Sequence, residues 1–131
     1  MREKGYSIES GLRKLPAYDG SVYRGIWIES LDDVRGGKIE QGAVIQTDAL
    51  SSFTHRQDVS YLREGNSVFR VNQNHSGVAI ENAAWRPSEG EVLVPSQTPY
   101  RINNVVERAS LPQSDPFYQD GGWIIDMDEI T

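Results

Sequence analysis

Apolar and polar residues alternate over short runs along most of this chain, a period of two that predicts strands. Ser21–Ile28 is rich in β-branched and aromatic residues, and its alternation puts Val22, Arg24, Ile26 and Ile28 on one face. Further strands are predicted over residues 43–45, 67–71, 78–80, 92–94, 100–106 and 123–127. Gly65-Asn66, His75-Ser76-Gly77 and Pro87-Ser88 mark turns between them. Residues 110–122 hold two prolines and two glycines and lack periodicity, so they read as a long crossing loop.

Helical spacing is confined to three short places. Ile8, Leu12 and Leu15 follow Ser7 as a candidate N-cap, with Pro16 as the stop. Ser30-Leu31-Asp32-Asp33 resembles a capping box that opens a helix closed by Gly36-Gly37. Val59 and Leu62 share one helical side behind Thr54, and Gln57 three residues on gives Thr54 a capping role. The expected class is therefore α+β, weighted toward β, as one domain over residues 1–131.

Composition fits that reading and narrows the chemistry. The chain has 131 residues, 37% hydrophobic and 24% charged, enough for a single core. It has no cysteine, so disulfides and thiolate metal sites are excluded, and His55 and His75 read as ordinary surface or loop histidines. No apolar run approaches bilayer length, and the first residues lack a secretory leader, so export would need a route not visible in the sequence. Net charge is −6, concentrated after residue 106, where six acids face the lone Arg108. Nucleic acid is disfavoured as a partner because an acidic chain gains nothing from counterion release. The acidic end reads as a closing strand with a charged outer side.

Arg24 is out of place in an apolar strand face, since arginine is almost never fully buried without a partner. Either the strand is an edge that lets it reach water, or the face lines a cleft that holds an anion. Two further patterns follow it in the chain: Ser52-Phe53-Thr54 between a short strand and a helix, then Glu89-Gly90-Glu91 running into Val92-Leu93-Val94-Pro95. Each is weak alone. In this order, with Leu15-Pro16-Ala17-Tyr18-Asp19-Gly20 before the arginine and Tyr100-Arg101-Ile102-Asn103 after the glutamates, the chain resembles the arginine–serine–glutamate class of mono-ADP-ribosyltransferases.

That resemblance implies two packed, mainly antiparallel sheets around an NAD cleft, with a few short helices. It implies NAD as co-substrate, no metal, and transfer of ADP-ribose to a target protein. Arg24 would hold an NAD phosphate, with Gly25 and Phe53 beside it, and the guanidinium's planar fork suits phosphate oxygens. Ser52 would brace Glu91, with Ser51 as the alternative register, and Glu91 would grip the ribose next to nicotinamide. Glu89 would face the acceptor, and a glutamate there implies arginine. Trp85 would be a contact for the target, or else a core residue. The resemblance also implies a toxin or effector, either minimal or the C-terminal piece of a longer polypeptide, that acts in a target-cell cytoplasm and is neutralised by an immunity protein. Transfer to another side chain or to RNA, and a non-catalytic binding module on the same scaffold, are the alternatives.

Overall fold

The computed structural model describes residues 16–32, 38–58, 62, 64–80 and 90–131. Among the described residues, eight strands follow in chain order: β1 Val22–Ile26, β2 Val44–Gln46, β3 Ser51–Thr54, β4 Ser67–Gln73, β5 Val78–Ala79, β6 Glu91–Val94, β7 Pro99–Glu107 and β8 Trp123–Glu129. They join in one hydrogen-bonded ladder of order β2-β7-β8-β4-β1-β3-β6-β5. All pairings are antiparallel except β4 with β8, which is parallel because β5, β6 and β7 intervene in the chain.

The expected pair of separate sheets is thus one continuous sheet, and its curl supplies the second layer. From β7 to β3 is four steps along the ladder, about 19 Å in a flat sheet at ~4.8 Å per strand. Yet the ring of Tyr100 on β7 lies 6.2 Å from that of Phe53 on β3. The sheet therefore folds over, and a core of Val22, Phe53, Val71, Val92, Val94, Tyr100, Ile102, Ile125 and Met127 fills the concavity. On the convex face a smaller cluster of Tyr23, Leu62, Val68, Phe117 and Ile124 is roofed by the crossing loop. Arg108, in the 3-10 turn Arg108–Ser110, pins that loop by donating from Nε to the Phe117 carbonyl at 2.9 Å and from Nη1 to the Asn66 carbonyl at 3.2 Å.

Strand boundaries follow local chemistry. β1 ends two residues before the expected Ile28 because the Asn66 side chain takes both of that residue's backbone groups. Its Oδ1 accepts the Ile28 N–H at 2.9 Å and its Nδ2 donates to the Ile28 carbonyl at 2.5 Å. The segment Ser51–Thr54, expected as a link between strand and helix, is itself β3. Phe53 needs the core face, and β6 offers a full register of partners. Of the three expected helices, the first lies outside the described residues and the second mostly so; at the expected start of the third, Thr54 ends β3 and residues 55–58 are not helical.

The acidic end also differs from expectation. β8 is third in the ladder, and two of its three acids, Asp126 and Glu129, are buried rather than on a solvated side. Asp126 takes a two-pronged contact from Arg70, Nε at 2.5 Å and Nη2 at 2.9 Å. Glu129 accepts from the backbone N–H groups of His75 and Ser76 at 2.9 and 2.8 Å, and from the Ser76 hydroxyl.

Candidate active site

β1 lies between β4 and β3, so Arg24 is not on a sheet edge, yet it is only half-buried. Its register partner on β4 is Phe69, and its guanidinium carbon stands 5.8 Å from the centre of the Phe53 ring. β1 pairs with β4 over five residues but with β3 only at Tyr23 and Thr54. Where the two strands part, a cavity of about 350 Å³ opens, lined by Arg24 and Ile26 from one and Ser51 and Phe53 from the other, with Phe69 and Tyr100 behind. The lining mixes polar and apolar groups, with the Arg24 guanidinium among them, a planar fork of the kind that suits phosphate oxygens.

Residues Thr47–Leu50 form another wall of this cavity. Thr47 ties that wall to the turn after β6. Its hydroxyl donates to the Pro95 carbonyl at 2.8 Å and accepts the Thr98 N–H at 3.0 Å, while its carbonyl accepts the Gln97 N–H at 2.7 Å. Nothing in the local pattern marks this wall or Tyr100 as part of a site. Tyr100 reads as an ordinary buried strand residue, and only the curl of the sheet brings it to Arg24. Burial first, and the Glu129 carboxylate second, push its phenol well above the ordinary tyrosine range. Its hydroxyl is buried without a hydrogen-bond partner.

On the other face of β3 stands the second half of the candidate site. Ser52 is opposite Leu93, and Thr54 is opposite Glu91. Ser52 and Glu91 are therefore diagonal neighbours on one face, within reach of each other. The Ser52 hydroxyl donates to a Glu91 carboxylate oxygen at 2.5 Å, at the surface. Thr54 ends β3 instead of capping a helix: its hydroxyl accepts the Arg56 N–H at 3.0 Å in a tight turn, its side chain is fully buried, and Gln57 donates to the Tyr23 hydroxyl at 3.0 Å.

The structure thus brings Ser52 and Glu91 together, and brings Arg24 together with Phe53 and Ser51. Ser52 and Glu91 are not among the described residues that line the Arg24 cavity; alternation along β3 turns Ser52 away from it. Gly25, next to Arg24, falls on the Ser52 side by the same alternation. Trp85 and Glu89 lie outside the described residues.

No family model matches the sequence. Two curated relatives do. The chain is 33% identical over 104 residues to the NAD(+)–protein-arginine ADP-ribosyltransferase Tre1 of Serratia proteamaculans, a match covering 77% of this chain and 21% of Tre1. It is 31% identical over 115 residues to the protein Vis of Vibrio splendidus, named for NAD(+)–arginine ADP-ribosyltransfer, covering 79% of this chain and 44% of Vis. The chain therefore spans less than half the length of either relative. Among solved structures, ADP-ribosyltransferase Vis superposes with a TM-score of 0.71 at 22% identity, over 99% of this chain and 57% of that one. The catalytic domain of VahC from Aeromonas hydrophila gives 0.70 at 20% identity, over 98% and 70%.

The fold is accordingly that of an ADP-ribosyltransferase catalytic domain. Within it, the chain is similar in sequence to two relatives that are named as arginine ADP-ribosyltransferases.

Proposed function

We propose that this chain is the catalytic domain of an NAD-dependent mono-ADP-ribosyltransferase that modifies arginine on a target protein. The observation that supports this most directly is the Ser52 hydroxyl bound to the Glu91 carboxylate across β3 and β6. It joins two of the three motif residues, 39 positions apart in the chain, and supports the bracing role that the resemblance implies for Ser52. The likeness to two arginine-directed relatives supports the acceptor.

In this reading Arg24 neutralises an NAD phosphate in the cleft, which Phe53 borders. Glu91 accepts from the ribose next to nicotinamide. When the ribose–nicotinamide bond breaks, its electron pair leaves with nicotinamide and positive charge spreads over the ribose. A fixed carboxylate stabilises that charge more than it stabilises the ground state. Ser52 holds the carboxylate in place. An acceptor guanidinium nitrogen then attacks the ribose carbon and its proton passes to Glu89, since a protonated guanidinium is a poor nucleophile until a base takes its proton. Trp85 contacts the target.

We extend the proposal to a toxin or effector that works in the cytoplasm of a target cell, with an immunity protein covering the NAD cleft in the producer. Survival of cells that make the chain alone would argue against that extension.

The test is incubation of the chain with labelled NAD and a cell lysate. Label should pass to protein and be located on arginine by mass spectrometry. Glu91→Ala should abolish both transfer and NAD cleavage, and Glu89→Ala should abolish transfer alone. A wild-type chain that neither transfers nor cleaves removes the proposal.

A further inference from the structure

Gly90, between the two glutamates, is buried and takes a φ of +60°. A Cβ at this position would lie 2.9 Å from Nε2 of His55 and 2.8 Å from Cγ of Arg56. The imidazole edge thus occupies the space that a side chain would need. The His55 backbone N–H also donates to the Gly90 carbonyl at 3.0 Å, so ring and main chain of one residue meet the same glycine.

Behind the ring is a second plane. His55 stacks on Tyr18 with centroids 4.9 Å apart and planes within 11° of parallel. Tyr18 is anchored in turn. Its N–H donates to the Gly77 carbonyl at 2.8 Å, and its own carbonyl accepts from Asn74 Nδ2 at 2.9 Å. Asn74 closes the β4–β5 turn by accepting the Gly77 N–H at 3.0 Å. Beyond Gly90, the Glu91 carbonyl accepts the Ile80 N–H at 3.1 Å.

We propose that His55 is a positioning residue for Glu91: its ring, stacked on Tyr18 and edge-on to Gly90, fixes the left-handed peptide from which the Glu91 side chain departs. The inference rests on the reading of Glu91 as the glutamate that grips the ribose. Glycine visits many backbone conformations at little cost, so the one it holds here must be imposed from outside. An imidazole edge held in place by the stack on Tyr18 does that, with no proton moved. Released from it, the peptide relaxes and the carboxylate drifts from the Ser52 hydroxyl. Misplacement of about 1 Å costs on the order of a hundredfold in rate.

Nicotinamide release from NAD by wild type, Glu91→Gln, His55→Ala and His55→Phe tests this, with the melting temperature of each. His55→Ala should lower kcat roughly ten- to a hundredfold while KM for NAD stays within about twofold, the mark of lost positioning rather than lost binding. His55→Phe, which keeps the stacking plane, should restore most of the rate. Wild-type kcat in His55→Ala overturns the inference, and so does a folded His55→Phe as slow as His55→Ala, which would assign the effect to imidazole chemistry. If His55→Ala does not fold, His55→Leu, which fills volume without a plane, is read in its place. No release by wild type, or undiminished release by Glu91→Gln, sinks the reading of the site itself. A dead Glu91→Gln beside an intact His55→Ala sinks the inference alone.

Discussion

Ser52 reaches Glu91 diagonally. Neither is the other's cross-strand partner, yet the hydroxyl on β3 donates to the carboxylate on β6 at 2.5 Å. The neighbouring Ser51 hydroxyl is turned elsewhere, donating to the Ala49 carbonyl at 2.8 Å. Alternation along a strand allows only one of two adjacent serines to face the glutamate.

Substitution of the two serines should therefore separate them. Ser52→Ala should lower kcat for NAD cleavage by roughly ten- to a hundredfold, since the carboxylate loses the bond that orients it. The melting temperature should hardly move, because the pair is at the surface. Ser51→Ala should retain most of the rate. Steady-state nicotinamide release decides it, and the reverse order would transfer the motif role to Ser51.

How much of this was readable in advance depends on the range of the interaction. Strands β4 to β8 follow from alternation and turn residues, because period two is a local property of the chain. Glu91 and Ser52 were legible through motif order, and the structure sets them together. Other features come from tertiary pairing. Asp126 and Glu129 look like solvated acids in sequence, but the ladder puts β8 inside and supplies Arg70 and the β4–β5 turn as partners. His55 reads as an ordinary loop histidine because nothing local announces that Tyr18 will stack on its face and Gly90 will meet its edge. The curl that brings Tyr100 to Phe53 is a property of eight strands together and of no single one.

Arg24→Lys should show whether the cavity needs a fork or only a charge. Lysine keeps the charge but not the planar pair of donors, so KM for NAD should rise about tenfold or more, with a smaller change in kcat. Binding calorimetry with NAD provides an independent check. Unchanged affinity would mean that the guanidinium does not contact the dinucleotide, and the cavity at β1 would then not be the phosphate site.

Loss of the Arg70–Asp126 pair should cost stability without touching chemistry. Arg70 is partly buried, lies 5.5 Å from the centre of the Phe117 ring, and meets Asp126 through two nitrogens. Asp126→Ala leaves that charge unpaired, at a cost of about 1–3 kcal/mol given its partial exposure. The Asp126 bond raises the Arg70 pKa above its ordinary value, so the contribution is fully present at neutral pH. It is lost only as pH rises through the raised value in strong alkali. Urea unfolding between pH 6 and 9 should accordingly show a constant deficit (on the scale of about 1–3 kcal/mol), and a deficit that varies across that window would point to a different group.

Tyr100→Phe should behave in the opposite sense to most core substitutions. The phenol is 1% exposed, and its hydroxyl has no hydrogen-bond partner, so the protein has given up that group's hydration without replacing it. Removing the oxygen while keeping the ring against Phe53 should leave stability unchanged or raise it by up to about 1 kcal/mol. The ring also lines the Arg24 cavity, which gives the same variant a second readout. If the hydroxyl is merely stranded, KM for NAD stays put as the melting temperature holds or climbs. If instead the variant is stable but KM rises, the unpartnered oxygen is a group held ready for the dinucleotide, and its cost to the free protein is recovered on binding.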